Sequence, residues 1–351
     1  MMDALGLGET LKEFVPELPV GKRNGTRYTF SDIVGTSHAI HGLIKDAQRA
    51  SLLNCAVLID GEAGTGKEIF AQSIHNFSRN SQQPFVAINC AALPETMLDR
   101  ILFGTVKGTF TGAIDQAGLF EEARAGTLFL DEIDSLSLLL QAKLLRVMHE
   151  MNFRRVGALN VIPVECRVIC STNKAPQKLI AEGRLRQDLF YRIARVALHI
   201  PPLRMRREDI ASITETFIKK SNLILRKDVR FVSPELYELL LFYNWPGNLR
   251  ELEHVLENLM IRVENNEKEL GLEHLPPRLK QVLLSTREEL KIPGERQNLP
   301  DTLKELEKQL IMDSLKRNMW NYPKTAKELG IIQQSLAYRM KKLGIAQRKE
   351  S

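Results

Sequence analysis

The chain of 351 residues holds only four cysteines, and no apolar stretch in it approaches the ~20 residues that a membrane-spanning helix needs. Cys55, Cys90, Cys166 and Cys170 lie in or beside apolar runs expected to be strands, so they read as buried reduced thiols and are assigned no chemistry. The missing long apolar run argues against a helical membrane anchor. Met1 to Val20 mixes Glu, Lys and Asp among its apolar positions, unlike a secretory signal, and a cytoplasmic chain is expected. Nothing in the composition argues for disorder: 44% of residues are hydrophobic, enough for ordinary cores, and the length suggests two or three domains.

Charge of one sign is scarce everywhere except at the end. Of the formal net charge of +6, a surplus of five falls within residues 300–351, which hold eleven Lys and Arg against six Asp and Glu. A basic segment after a nearly neutral body is the electrostatic footprint of something that meets a polyanion. The spacing of Leu303, Leu306, Leu310, Ile311 and Leu315 predicts an amphipathic helix over Thr302 to Lys316. Pro323 then opens a short helix through Leu329, Gly330 makes a turn, and a last helix runs from Gln334 to Leu343. Helix, glycine turn, helix is the helix-turn-helix plan, whose second helix enters the major groove of double-stranded DNA. Leu336 and Met340 face inward in this reading, Ala326 sits where the helices cross, and Gln334, Ser335, Tyr338, Arg339 and Lys342 face the DNA. A generic helical bundle with a solvated basic face is the alternative.

Residues 61–68 read G-E-A-G-T-G-K-E after the apolar run that ends at Ile59: Gly61, Glu62, Ala63, Gly64, Thr65, Gly66, Lys67, Glu68. A strand feeding a glycine-rich turn that ends in lysine is a phosphate cradle, because inward-pointing backbone N–H groups need small residues with free dihedrals. Lys67 adds a positive charge at the outer phosphates. Where the generic pattern has Ser or Thr to hold Mg²⁺, this chain has Glu68. Later, Leu128 to Glu132 read L-F-L-D-E, a second strand ending in carboxylates. Asp131 is expected to orient the metal and Glu132 to polarise the attacking water, which together imply hydrolysis of a nucleoside triphosphate.

Short apolar strands at 56–59, 85–88, 128–130, 168–170 and 196–200 alternate with helical patterns, predicting an α/β fold with a parallel sheet covered on both faces. The expected domains are a leader at 1–27, an α/β ATPase part at 28–203, a helical subdomain at 204–284, a linker at 285–301 and the helix-turn-helix at 302–351.

Over roughly residues 28–345 the chain resembles the bacterial enhancer-binding activators of the sigma-54-dependent class, an AAA+ ATPase followed by a Fis-type helix-turn-helix. The most specific motif is Gly108, Thr109, Phe110, Thr111, Gly112, Ala113, similar to the family's G-A-F-T-G-A loop that touches the sigma factor, with Thr109 where alanine is typical. Read alone, the motif is an exposed aromatic anchor on a loop or a turn whose Phe folds inward. The resemblance implies that Asn89 switches the catalytic glutamate, although a cap for the next helix is an equal reading. It also implies that Thr172 and Asn173 sense phosphate, with ordinary turn chemistry as the alternative. Arg186 and Arg192 match arginine fingers that enter a neighbouring subunit, where a guanidinium at the transition state is worth ~10³-fold or more; surface pairing with Asp188 or Glu182 is the other reading. Arg250 matches a second sensor, and in the same W-P-G-N-L-R stretch Asn248 is expected to cap a helix beginning near Leu249.

The family further implies ATP and Mg²⁺, a homo-oligomer, as a hexamer assembled from dimers, and nucleoid-associated action at upstream enhancer sites on the sigma-54 RNA polymerase holoenzyme. It implies a regulatory domain ahead of the ATPase, as in two-component-like regulators, with the leader expected to be its connector; control by a partner in trans is the alternative. Two other readings stay open: an AAA+ DNA-binding regulator that Thr109 uncouples from sigma-54, and an AAA+ remodeller whose basic tail is an adaptor surface.

Overall fold

Five apolar runs form strands: β1 (Val57–Asp60), β2 (Phe85–Asn89), β3 (Thr127–Asp131), β4 (Arg167–Thr172) and β5 (Val196–His199). All pair in parallel, in the order β2-β3-β4-β1-β5. The computed structural model describes residues 24–109, 114–281, 283, 299–318, 320–331 and 333–345. The chain divides into two compact units, Met1–Lys280 and Gln281–Ser351.

In the first unit the strand centres are apolar because both faces of the sheet are covered. Leu58, Leu128, Leu130, Val168 and Cys170 enter one core, where they meet α3 (Glu95–Phe103), α4 (Leu119–Glu122), α5 (Leu138–Glu150), α6 (Pro176–Ala181) and α7 (Gln187–Ile193). Their strand neighbours Val57, Ile59, Phe129 and Ile169 enter the opposite core, against α1 (His38–Ser51) and α2 (Lys67–Asn76). Alternation along each strand thus feeds both layers, and each fully buried Leu or Ile contributes ~1.5–3 kcal/mol. A helical part follows, with α8 (Asp209–Leu225), α9 (Pro234–Phe242) and α10 (Asn248–Arg262). Ser37 and Ser233 cap α1 and α9 by accepting from Ile40 N and Leu236 N.

The cysteines are free: Cys90, Cys166 and Cys170 are buried and Cys55 half-buried. Burial pushes the thiols of Cys90 and Cys166 up to about 12, which keeps them protonated and inert. No helix among the described residues is long and apolar enough to cross a membrane.

Two expectations need correction. The leader does not extend to Arg27, because Asn24 and Thr26 are buried and Phe85 N donates to Asn24 O at 2.8 Å. Asn24 also donates to Asn76 Oδ1 and Ser81 O, so residues 24–27 cover the start of edge strand β2 and satisfy part of its open backbone. The linker expected to reach Asp301 ends by Leu299, where α11 (Leu299–Arg317) begins; 284–298 lie outside the described residues.

In the second unit α11 precedes α12 (Tyr322–Glu328) and α13 (Gln333–Lys342). Ile311, Leu315, Ala326, Leu336 and Met340 form its core, as their spacing predicts. Leu310 does not join them: it is 54% exposed, since neighbours on a helix turn 100° apart and Ile311 takes the inward position. Asn321 caps α12 by accepting from Lys324 N at 3.0 Å, and Gly330, at φ +67, supplies the left-handed residue of the turn.

Candidate active site

Strand order decides where the chemistry collects. With β1 between β4 and β5, and β3 beside β4, the carboxyl ends of β1, β4 and β3 are neighbours, the position at which open parallel sheets place ligands. There lies a cleft lined by Lys67, Glu68, Asp131, Glu132, Asn173 and Arg250, together with Ala63, Gly64 and Gly66 of the glycine-rich turn.

The turn is held from behind. Lys67 Nζ donates to Gly61 O (2.8 Å) and Glu62 O (3.0 Å), Asn248 Nδ2 to Ala63 O (3.0 Å), Leu249 N to Gly64 O (3.0 Å), and Arg206 to Thr65 O (3.3 Å). Tying five consecutive carbonyls away from the cleft is what leaves amide N–H groups as its lining, the polarity an anion needs. Gly64 and Gly66 adopt φ +76 and +101, and a Cβ on Gly64 would lie 2.2 Å from Gly247 O, so no larger residue fits. Burial lowers the pKa of Lys67, while Asp131 and Glu132 oppose the shift. Gly61, Glu62 and Thr65 are not part of the lining. Glu62 is turned outward into a two-pronged pair with Arg204 (2.6 and 2.7 Å), which holds its carboxyl below the usual range, and Thr65 donates to Glu62 O.

Asn248 departs from the expected role. Gly247 takes the N-cap position, and Asn248, fully buried at φ +52, instead donates to Ala63 O and Glu62 Oε2 and accepts from Leu203 N. It joins the helical part to the phosphate turn.

At the end of β3, Glu132 sits in the left-handed region at φ +56, an uncommon conformation for a non-glycine residue and one that marks functional turns. Ser171, which sequence reasoning passed over, binds both acids: its hydroxyl donates to Asp131 Oδ1 and accepts from Glu132 N at 3.1 Å. The parallel register that pairs Leu130 with Cys170 is the signal that could have found it, because the next residues on each strand are Asp131 and Ser171. Asn89 reaches Asp131 Oδ2 at 3.4 Å, not Glu132, and accepts from Ala91 N at 2.7 Å. It caps no helix, since α3 begins only at Glu95. Asn173 accepts from Lys67 Nζ at 2.6 Å, whereas Thr172 is fully buried and donates to Lys174 O. Among the described residues no cluster of three His, Cys, Asp or Glu could hold a metal by itself. The oxygen-only donors of Asp131 and Glu68 suit Mg²⁺, which binds through one or two carboxylates plus substrate phosphates.

Beside this cleft, and sharing Gly66, Ile69, Leu249 and Glu253 with it, opens an apolar pocket lined by Ile33, Val34, Phe70, Ile213 and Phe217. Arg186 and Arg192 line neither. Arg186, at the N-cap of α7, forms a two-pronged exposed pair with Asp188 (2.7 and 3.0 Å), and Arg192, in the last turn, donates to Met148 O at 2.8 Å. They sit at opposite ends of one short helix.

Comparison with known proteins fits this geometry. A Sigma-54 interaction domain matches residues 33–199, an AAA+ ATPase lid domain 204–291, and the bacterial regulatory protein Fis family 302–343. The transcriptional activator RocR of Bacillus subtilis is 45% identical over 326 residues, covering 92% of this chain and 70% of that protein. The chain belongs to the sigma-54-dependent transcriptional activators. AtoC of Escherichia coli is 41% identical, over 91% of this chain and 69% of its own. The crystal structure of NtrX from Brucella abortus in complex with ATP has 32% identity and a TM-score of 0.64, covering 89% of this chain and 69% of that one.

Of this activator's loop motif, Gly108 and Thr109 are described, and Phe110, Thr111, Gly112 and Ala113 lie outside the described residues. The loop's stem is pinned by paired Thr105 and Gln116. The Thr109 hydroxyl lies 2.8 Å from Val106 O and 3.1 Å from Val156 O, against Gly157, where a Cβ would meet it at 2.2 Å. In the activator's DNA-binding unit Tyr338 is 68% exposed and Lys342 is exposed, while Ser335 is half-buried and accepts from Arg339 Nε at 3.3 Å. Arg339 also pairs with Glu307 on α11. Gln334 lies within α13, and its side chain is outside the described residues.

Proposed function

We propose that this chain binds enhancer DNA through α12 and α13 and uses hydrolysis of Mg²⁺-ATP to convert the sigma-54 polymerase closed complex into an open one. The observation that carries the reading is the one cleft holding Lys67, Asp131, Glu132, Asn173 and Arg250, with a mainly apolar pocket at its side. The base enters between Val34, Phe217 and Leu249. The triphosphate lies along the turn at the start of α2, with Lys67 and Arg250 countering its outer charge. Glu132 takes the proton of the attacking water, and Asp131 with Glu68 faces the metal, which when bound neutralises phosphate charge. Asn173 holds the Lys67 ammonium in place. Asn89 moves from Asp131 toward Glu132 as the outer phosphate arrives. The ATP complex of NtrX supports the nucleotide assignment. Residues 28–203, 204–284 and 302–351 act as ATPase, lid and DNA-binding parts of a hexamer built from dimers, and the Phe110 loop carries each stroke to sigma-54.

Purified protein, sigma-54 polymerase, promoter DNA and ATP test the reading together: open complexes should form with ATP and not with a non-hydrolysable analogue. Hydrolysis without opening would favour the regulator that bypasses sigma-54. The Thr109 hydroxyl faces backbone carbonyls of its own chain, which occupies its hydrogen-bonding capacity within the subunit. Thr109→Ala should therefore keep analogue-dependent binding to sigma-54 within about threefold, a change of under ~1 kcal/mol. Arg339→Ala should weaken operator binding by ~1–3 kcal/mol while the ATPase stays unchanged, and equal affinity in a gel-shift titration would remove α13 from the groove.

A further inference from the structure

The residues that prepare the catalytic glutamate and those that carry Arg186 are joined inside one subunit. Two residues after Glu132, in the single turn Ile133–Ser135, stands Asp134, whose side chain is 5% exposed. Its Oδ2 accepts from Arg184 Nη2 at 2.9 Å, and its Oδ1 has no hydrogen-bond partner from another residue. Burial raises the Asp134 pKa, and the Arg184 guanidinium, with a smaller contribution from Lys174, opposes the rise, so Arg184 is the cation that holds the carboxylate most directly. Arg184 in turn lies two residues before Arg186. The segment between them is gripped by Gln141 of α5, fully buried, whose Nε2 donates to Arg184 O (2.8 Å) and to Leu136 O (2.9 Å) while its Oε1 accepts from Arg186 N (2.9 Å). One buried amide therefore bonds both the turn that follows Glu132 and the backbone that aims Arg186.

We propose that Asp134, Arg184 and Gln141 are positioning residues of a relay that passes the state of a subunit's own nucleotide cleft to the arginine that it presents to its neighbour. The proposal rests on the reading that Arg186 serves a neighbouring subunit's cleft. When nucleotide contact shifts Glu132, the turn carrying Asp134 shifts with it. The pair with Arg184 and the amide of Gln141 then pull on the N-cap of α7, so hydrolysis at one cleft changes readiness at the next. A buried carboxylate with one directly bonded cation suits this task, because releasing Arg184 to water would leave its charge buried without a hydrogen-bonded partner.

The experiment uses the full chain with Asp134→Asn and, separately, Arg184→Ala, each assayed for ATP affinity, melting temperature and the ATP dependence of turnover. Wild-type protein is also doped with increasing fractions of Glu132→Gln subunits, which bind ATP without turning it over. The relay predicts that wild-type turnover falls more steeply than the fraction of inactive subunits, with a Hill coefficient above unity. Both variants should hold ATP within about twofold of wild type, lose the steep fall and bring the Hill coefficient to unity. Arg184→Ala acts at the half-exposed end of the pair, so it reports even where Asp134→Asn destabilises the turn. Variants that keep the steep fall and the cooperativity overturn the relay, and so does a wild type that falls in simple proportion. Complementation between Arg186→Ala and Glu132→Gln subunits judges the underlying reading separately, because it needs a shared cleft and no communication.

Discussion

Glu132→Gln should bind ATP as tightly as the parent protein and hydrolyse it ~10²–10⁴-fold more slowly, the range lost when a positioned general base is removed. The amide has the shape of the carboxylate, and the contact that fixes residue 132 is made by its backbone N–H to Ser171, which the substitution leaves in place. The left-handed backbone at φ +56 is likewise a property of the turn, enforced by β3 before it and the turn Ile133–Ser135 after it. Phosphate contacts through the glycine-rich turn and Lys67 do not involve the Glu132 side chain. Only the capacity to accept a proton from water disappears. Steady-state turnover beside equilibrium binding of a fluorescent ATP analogue separates the two quantities, and turnover within threefold of the parent would strip Glu132 of its role.

How far this site could be read from the chain depends on how local each contact is. The five strands were legible because burial on both faces makes them continuous apolar runs, although β4 extends to Arg167 and Thr172, beyond its apolar centre. That Lys67, Asp131 and Glu132 would line one cleft was legible, because each lies at or just after the end of a strand. Asn248 was misread as a cap because the partners that decide its conformation, Glu62 and Ala63, lie more than 180 residues away, the first separated by 186 positions. The Glu62 pair with Arg204 spans 142 positions and was invisible for the same reason. Ser171 was missed although its neighbours were noticed, since only the register of β3 against β4 brings its hydroxyl to the Asp131 carboxylate and the Glu132 backbone N–H. The helix-turn-helix followed from its glycine and its spacing, both local; the expectation failed at Leu310, where two adjacent apolar residues compete for one inward position, and the side chains of Leu303 and Leu306 lie outside the described residues.

Arg186→Ala should lower turnover by ~10³-fold or more, and mixing it with Glu132→Gln should restore activity that neither variant has alone. In its own subunit Arg186 pairs with Asp188 at the surface, both side chains substantially exposed, so solvent screening leaves the pair weak. A guanidinium placed against the charge of a phosphoryl-transfer transition state gains ~4 kcal/mol or more, the equivalent of ~10³-fold in rate, so on the proposed reading the pair with Asp188 would yield readily to a neighbour's cleft. Arg192 is held more firmly, by Met148 O at 2.8 Å, and its removal should also cost folding around α7. In an equal mixture a cleft is competent when its own subunit supplies Glu132 and the adjacent one supplies Arg186, which random assembly provides at about one cleft in four if the arginine acts in trans. If Arg186 worked within its own chain, every subunit of the mixture would lack one of the two groups and the mixture would stay as inactive as its parts. The restored rate should also fall on dilution, because the complete cleft exists only while subunits touch.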